Sequence, residues 1–254
     1  MPTILAIHAH PDDVETLCAG TLALLAENGH RIVIATMTAG DCGSVEWDNA
    51  ETARIRMAEA AAAAAMIGAD YHCAGFGDLS VFNDDASRRR TTELIRTLTP
   101  DVVITASPSD YHPDHEATSI LVRDACFAAP VVNYKTGSAP ALPAIPHLYF
   151  TDPIEGRDRN NAKVAADFAV DVTAQFDAKR AMLGAHQSQR SWVLKQHGID
   201  DYTGAMEAGT RRRGKHFGVV CAEGFRHYKG HPYPATPLLE DLVGSALVHP
   251  RSSA

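Results

Sequence analysis

The tripeptide His-Pro-Asp occurs twice in this chain, each time among further titratable residues. The first copy lies in HAHPDD (residues 8–13) and the second in HPDH (residues 112–115). Each copy follows a short apolar run, ILAI before the first and VVIT before the second. Imidazole nitrogens and carboxylate oxygens are preferred ligands of zinc. One copy alone would fit a helix start with a capping Asp, but the pair favours a metal site.

The spacing inside each motif suits metal coordination. Pro fits the first turn of a helix, and residues three apart on such a turn lie on one side. His10 and Asp13 can therefore face a common point, and so can His112 and His115. Two histidines and one carboxylate with an open fourth position are typical of catalytic zinc, which lowers the pKa of bound water to about 7. His8 lies within the apolar run and is predicted to be packed.

The adjacent carboxylates of Asp12 and Asp13 are predicted to point in different directions. Neighbouring residues on a helical turn are rotated by about 100°. Asp13 lies three residues after His10 and shares its side of the turn, so that Asp12 would face water beside the metal.

Strands and helices alternate in the first half of the chain. This alternation predicts a Rossmann-like, three-layer α/β/α fold with a mostly parallel sheet. In a sheet of order 3-2-1-4-5, strands one and four are neighbours, and the metal site falls at their carboxyl ends. The predicted strands cover residues 3–8, 31–38, 70–76 and 101–106, and the predicted helices cover 15–27, 50–67, 87–98 and 116–128.

The second half of the chain has a less regular pattern. Residues 130–146 are rich in Pro and small residues and predict a loop, followed by a strand at 147–151 and a helix at 172–186. Residues 188–237 are interpreted as loops and short elements closing over a site, and the tail HPRSSA is expected to be mobile. We predict a single domain over 1–254, in which 1–128 form the Rossmann-like core and 129–254 complete the fold and the substrate cleft.

Composition and missing motifs exclude several classes of protein. The formal net charge of −8 argues against a general nucleic-acid binder, which would carry a basic face. Five scattered cysteines indicate reduced thiols. The first residues lack a signal-peptide pattern and no apolar run is long enough to span a bilayer, so that the expected location is the cytoplasm and no membrane partner is expected. A GxGxxG after the first strand, a Walker A motif and a GxSxG motif are absent from the sequence.

At these motifs the chain resembles the PIG-L/LmbE-like N-deacetylase family. The resemblance rests on AHPDD (residues 9–13) and HPDH, and it is sharpest over residues 3–125. Gly20, TAGDCGS, RMAEAAAAAAMIG, Phe76, Asp78, AHQSQ (residues 185–189) and AEGF (residues 222–225) are also similar to the family. The resemblance implies a Rossmann-like fold, one metal, usually zinc, and removal of acyl groups, commonly acetyl from N-acetylglucosaminyl compounds.

The resemblance also implies roles for individual residues. It implies His10, Asp13 and His115 as metal ligands. It implies Asp12 as general base and His112 as the group that assists at the carbonyl oxygen or leaving group. Arg56 and Asp78 match positions that reach substrate in relatives, Asp114 is expected to orient a ligand or cap its helix, and AHQSQ and AEGF are expected to be structural.

The predicted function is zinc-dependent hydrolysis of an N-acyl, most simply N-acetyl, group on a small polar N-acetylglucosaminyl-type compound. One Zn²⁺ per chain is expected, with another divalent ion as the alternative. The expected partners are the N-acylated small molecule and further copies of the chain in a homo-oligomer, without nucleic acid. The alternatives are an amidase acting on a larger amide conjugate and a metal-binding interaction protein without turnover. Two-metal phosphoester hydrolysis is disfavoured, because only one three-ligand set is evident.

Overall fold

A computed structural model of the chain describes residues 1–197 and 202–251. In these residues, eight strands form one sheet: β1 Thr3–His8, β2 Arg31–Thr38, β3 Asp70–Phe76, β4 Val102–Thr105, β5 His147–Thr151, β6 Phe168–Asp171, β7 Ala222–His227 and β8 Val248–Pro250. Nine α-helices accompany them in the same part of the chain: α1 Asp13–Leu17, α2 Ala19–Glu27, α3 Asn49–Ala65, α4 Asp85–Leu98, α5 Pro113–Ala128, α6 Phe176–Gly184, α7 Gln187–His197, α8 Tyr202–Phe217 and α9 Leu238–Val243.

The sheet has the order β3-β2-β1-β4-β5-β7-β6-β8. The first five strands in this order are parallel, whereas β7, β6 and β8 add antiparallel pairs at one end. The predicted 3-2-1-4-5 order is therefore confirmed. It places the carboxyl end of β1 beside that of β4, where Ile7 pairs with Thr105.

Two apolar layers cover the sheet and make the fold three-layered. Every residue of β1 is buried, as expected for a central parallel strand covered on both faces. Its alternate side chains enter different layers, with Ile4 on the face covered by α2, α6, α8 and α9 and Leu5 on the face covered by α4 and α5. The predicted α/β/α architecture is confirmed by this arrangement.

The interpretation of residues 188–237 as loops and short elements is wrong. The segment contains most of α7, all of α8 and the strand β7. The buried positions of α8 are Met206, Thr210 and Gly214, which lie four residues apart. Because two of these three side chains are small, the helical face shows no apolar period in the sequence.

Other elements of the second half also differ from the predictions. The strand β6 was not predicted, and the helix predicted at 172–186 begins only at Phe176. The tail begins in the sheet, because Val248–Pro250 pairs with β6 and the Arg251 amide donates to Asp167 O. Residues 252–254 of that tail lie outside the described residues, as do 198–201.

A buried ion pair joins α6, β7 and the start of α2. Lys179 Nζ lies 2.6 Å from Glu223 Oε1, and both side chains are buried. The Glu223 carboxylate also accepts hydrogen bonds from the amides of Gly20 and Thr21 at the first turn of α2. Gly20 is required there because a Cβ would lie 2.8 Å from the Cβ of Val172. The glutamate of AEGF therefore has the structural role expected of it.

None of the helices in the described part of the chain combines the length and hydropathy that crossing a bilayer requires.

Candidate metal and catalytic centre

The two His-Pro-Asp motifs meet at the carboxyl ends of β1 and β4. His10 Nδ1 lies 3.3 Å from His115 Nε2. Asp13 lies between them, with Oδ1 3.3 Å from His115 Nε2 and Oδ2 3.4 Å from His10 Nδ1. All three side chains are buried. The structure thus brings together the three residues predicted to be metal ligands.

The two His-Pro-Asp motifs have different backbone conformations, although their residues are equally spaced. In the second motif, α5 begins at Pro113, and His112 Nδ1 caps the helix by accepting the Asp114 amide. In the first motif, α1 begins only at Asp13, and Asp12 is left-handed with φ 103°. The helical turn expected through Asp12 is therefore wrong, since a left-handed residue precedes the helix. Such a conformation is costly for a residue other than glycine, of order 1–3 kcal/mol, and is common at functional sites.

Carboxylates also contact the outward nitrogens of the two histidines. Asp110 Oδ1 lies 3.2 Å from His115 Nδ1. Asp78 Oδ1 and Asp114 Oδ2 lie 3.0 and 3.4 Å from His10 Nε2. Carboxylates in this position fix the ring orientation of histidines that bind metals through the other nitrogen. Asp110 was missed in the sequence, where its only signal is its place in the polar loop after β4.

In two sets of the described residues, one potential ligand atom from each residue lies within 4.8 Å of the others. One set is His10, His112 and His115, and the other is His10, Asp78 and Asp114. In the first, His112 has only Nε2 left, because Nδ1 caps α5. In the second, both carboxylates accept backbone amides, as Asp13 Oδ2 does from the His10 amide. Neither set includes Asp13, whose Oδ1 contacts His115 and whose Oδ2 contacts His10.

The carboxylates control the charge of the histidines. Burial opposes ionisation of His10, but the carboxylates of Asp114, Asp13 and Asp78 outweigh it and raise its pKa well above the usual value. Burial also opposes ionisation of His115, but the carboxylates, led by Asp13, raise its pKa to about 9. Burial alone would raise the pKa of Asp13, whereas the two histidines hold it well below the usual range. Without a metal, the two histidines are therefore held in their positively charged form and Asp13 in its negatively charged form.

His112 has the opposite electrostatic environment. Its half-buried position, together with His10 and His115, lowers its pKa. Its ring stacks on that of His115 with centroids 4.8 Å apart and meets that of His10 edge-on at 4.7 Å. His112 therefore lies against both histidines of the centre as a neutral side chain with Nε2 available.

One oxygen of the Asp12 carboxylate contacts residues of α8 and α3. Asp12 Oδ2 accepts a hydrogen bond from the Tyr202 hydroxyl at 2.6 Å and lies 3.5 Å from Arg56 Nη2. Burial outweighs the attraction of Arg56 and raises the pKa of Asp12. Burial and the Asp12 charge raise the pKa of Tyr202 well above its usual value, so that Tyr202 is the donor. Tyr202 was missed because its helix was interpreted as loop.

Arg56 is buried and holds two loops of the centre together. Its Nη1 donates to Gly40 O at 2.8 Å and its Nη2 to Pro11 O at 2.7 Å. Gly40 is left-handed with φ 64°, and a Cβ there would overlap the guanidinium. The structure thus places Arg56 behind Asp12, while the substrate contacts predicted for Arg56 and Asp78 stay predictions.

His8 is packed, as predicted. It is fully buried, and its Nε2 lies 3.2 Å from Thr151 Oγ1. Burial lowers its pKa to about 4, so that it is neutral at physiological pH.

Fold and centre together define a Rossmann-like protein with a His/Asp centre at the switch point of its sheet. A model of the PIG-L family, described as GlcNAc-PI de-N-acetylase, matches residues 5–126. A 1D-myo-inositol 2-acetamido-2-deoxy-alpha-D-glucopyranoside deacetylase from Nakamurella multipartita is 27% identical over 280 residues, covering 92% of each chain. The resemblance to the PIG-L/LmbE-like family is thereby confirmed over residues 5–126, the Rossmann-like part of the chain.

Two further comparisons extend over nearly the whole chain. A 4-oxalmesaconate hydratase from Pseudomonas putida is 25% identical over 235 residues, covering 89% of this chain and 86% of the relative. The crystal structure of a conserved protein from Thermus thermophilus is similar with a TM-score of 0.73 and 28% identity, covering 93% of this chain and 98% of that one. The relatives with named activities thus include both a deacetylase and a hydratase.

Proposed function

We propose that this chain is a metal-dependent N-deacetylase acting on a small N-acetylglucosaminyl-type compound. The observation that carries the proposal is the buried triangle of the residues His10, Asp13 and His115: the two histidine nitrogens lie 3.3 Å apart, Asp13 Oδ1 lies 3.3 Å from His115 Nε2, and Asp13 Oδ2 lies 3.4 Å from His10 Nδ1. The deacetylase from N. multipartita supports the reaction type and the acetamido-sugar substrate class.

The triangle fits a zinc ion. Nitrogen and oxygen ligands at about 2.0–2.1 Å from a tetrahedral zinc lie roughly 3.3–3.4 Å from one another. The distance between His10 Nδ1 and His115 Nε2, 3.3 Å, matches this spacing, and one oxygen of Asp13 lies at this spacing from each nitrogen, Oδ1 from His115 and Oδ2 from His10. We propose these three residues as the ligands. When bound there, a zinc ion would polarise the acyl carbonyl and lower the pKa of a water molecule.

Asp12 is the proposed general base. Among the residues that the structure describes, Tyr202 and Arg56 both contact the same oxygen of this carboxylate, Oδ2. Oδ1 is therefore the atom to which we assign acceptance of a proton from the attacking water. The amide that Asn would place at this position cannot accept that proton.

His112 is the proposed donor to the acyl oxygen. Its Nδ1 accepts the Asp114 amide hydrogen, so that this nitrogen carries no proton and Nε2–H does. A neutral imidazole in this tautomer stabilises negative charge on the carbonyl oxygen as it develops. The hydrogen bond that caps α5 thus also selects the tautomer needed for the chemistry.

Two exposed side chains with apolar surface lie beside the centre. They could contact the substrate of the alternative function, an amidase acting on a larger amide. The Tyr111 ring centroid lies 5.7 Å from the ring centroids of both His112 and His115, and the side chain is 64% exposed. Leu79 is 59% exposed, and its amide donates to Asp114 Oδ2 at 2.7 Å. An acyl or aglycone group larger than acetyl would find apolar contacts there, so that longer amides belong in the assay.

A panel assay on the zinc-loaded protein tests the proposal. It measures free amine released from N-acetylglucosaminyl glycosides and from their longer N-acyl analogues, and in parallel hydration of an unsaturated polycarboxylic acid. We expect amine release from the N-acetyl glycosides, abolished by a chelator and restored by zinc. Turnover of the longer amides alone would replace the acetyl assignment by an amidase. Hydration without amine release would overturn the proposal in favour of the activity named for the P. putida relative.

Zinc binding to the metal-free protein at pH 7 is expected to release about two protons per site. The raised pKa values mean that His10 and His115 both hold protons at neutral pH, and a metal must displace them. Affinity should therefore fall as the pH falls, and the proton release from His115 should fade as the pH rises through about 9.

Calorimetry in two buffers of different ionisation enthalpy measures the number of protons released. Binding without net proton release at pH 7 would contradict the protonated state of the metal-free centre.

The homo-oligomeric assembly and the cytoplasmic location stay predictions.

A further inference from the structure

The first residue of α8 reaches the centre from the C-terminal half of the chain. Tyr202 donates its hydroxyl proton to Asp12 Oδ2 at 2.6 Å, a short hydrogen bond to a charged acceptor. The same oxygen lies 3.5 Å from Arg56 Nη2. Asp12 has its own backbone in the left-handed region, directly before α1. The orientation of its carboxylate therefore depends on partners from two other helices.

We infer that Tyr202 is a positioning residue, which fixes the rotation of the Asp12 carboxylate so that Oδ1 faces the attacking water. The inference rests on the proposed function, because it concerns the proposed base of that reaction. Tyr202 does not contact the substrate amide in this role; it acts only through Asp12. Arg56 alone would leave the carboxylate less restrained, because its Nη2 is farther away and already donates to Pro11 O.

The ring of Tyr202 and its hydroxyl have separable roles. The ring packs against the apolar layer that contains Met206 and Leu183. Phe preserves this packing and removes only the hydroxyl. Tyr202→Phe therefore tests the hydrogen bond with little disturbance of the fold.

Steady-state kinetics of four variants test the inference on zinc-loaded protein. Tyr202→Phe is expected to lower kcat about 10- to 100-fold, the range for losing a hydrogen bond to a charged group, with KM and zinc content unchanged within about twofold. In Asp12→Asn, where the base is already lost, adding Tyr202→Phe should change kcat by less than about twofold, because the two residues act as one unit.

Tyr149→Phe is the matched control. The Tyr149 hydroxyl also donates to a carboxylate, Glu240 Oε2 at 2.7 Å, but within the layer that contains α9. This variant should keep the wild-type kcat. A kcat for Tyr202→Phe equal to the wild type would overturn the inference.

Two other results would overturn the inference as well. One is an equal loss from Tyr202→Phe in the presence and absence of Asp12, which means that the hydroxyl acts by another route. The other is loss of zinc or of thermal stability in parallel with kcat, which assigns the hydroxyl to the fold. If the wild-type protein itself hydrolyses no amide, it is the proposed function that fails; an active wild type with an unaffected Tyr202→Phe rejects this inference alone.

Discussion

Asp12→Asn is expected to keep its zinc and to lose about 10²- to 10⁴-fold in kcat, the usual range for losing a general base. The structure separates the two adjacent carboxylates by their contacts. Asp13 contacts His10 and His115, whereas Asp12 contacts Tyr202 and Arg56. Asn keeps the size and the hydrogen-bond acceptor of Asp12 but cannot accept a proton from water. Zinc content and kcat, measured on the same preparation, check this expectation.

Asp13→Ala is the companion variant and should behave differently. Removing this carboxylate takes one corner from the triangle and leaves His10 and His115 as the remaining members. Zinc and activity should be lost together, and excess zinc should restore little of either. Retention of most of the kcat in Asp12→Asn would refute the assignment of the base. Loss of zinc from Asp12→Asn but not from Asp13→Ala would reverse the two roles.

Glu223→Gln is expected to lower the free energy of unfolding by about 3–5 kcal/mol, the cost of leaving one member of a buried ion pair uncompensated. Lys179 is fully buried, and its ammonium lies 2.6 Å from Glu223 Oε1. The amides of Gly20 and Thr21 donate to the two oxygens of the same carboxylate. A Gln side chain has only one oxygen, so that its NH₂ group must face a donor. Such a loss is a large fraction of the roughly 5–15 kcal/mol typical of a folded protein.

Urea unfolding at saturating zinc measures this loss, since bound metal adds to apparent stability and must be held constant. Glu51→Gln is the control, because Glu51 pairs with Arg54 on the exposed surface of α3. This control should unfold at the same urea concentration as the wild type, since exposed pairs contribute little. Equal midpoints for Glu223→Gln and the control would show that the buried pair does not hold α6, β7 and α2 together.

Most of the Rossmann-like half could be predicted from the sequence because its signals are local. A central parallel strand is buried on both faces and reads as a continuous apolar run, as Thr3–His8 does. The right-handed crossover rule and the switch point then place β1 beside β4, and with them the two motifs. The pair of motifs therefore predicted the meeting of His10 with His115 across 105 residues of sequence.

The second half was predicted less well because its helices bury small or polar side chains. The buried face of α8 includes Thr210 and Gly214, which carry no hydrophobic signal. The antiparallel strand β6 has four residues, too few for a period to show. As a result, the element that supplies Tyr202 was interpreted as loop, and the contact of Tyr202 with Asp12 across 190 residues could not be foreseen.

The sequence by itself determined the layer order, the meeting of the motifs and the kinds of side chain in the centre, because hydrophobic period and residue chemistry are local properties. Only the tertiary structure decided what each of these side chains contacts. Two identical HPD spacings have different backbones, one with His112 as a helix cap and one with Asp12 left-handed, because each adapts to the elements packed against it. The partners of the centre, Asp110, Arg56 and Tyr202, come from three different segments, and long-range packing rather than local sequence brings them to it.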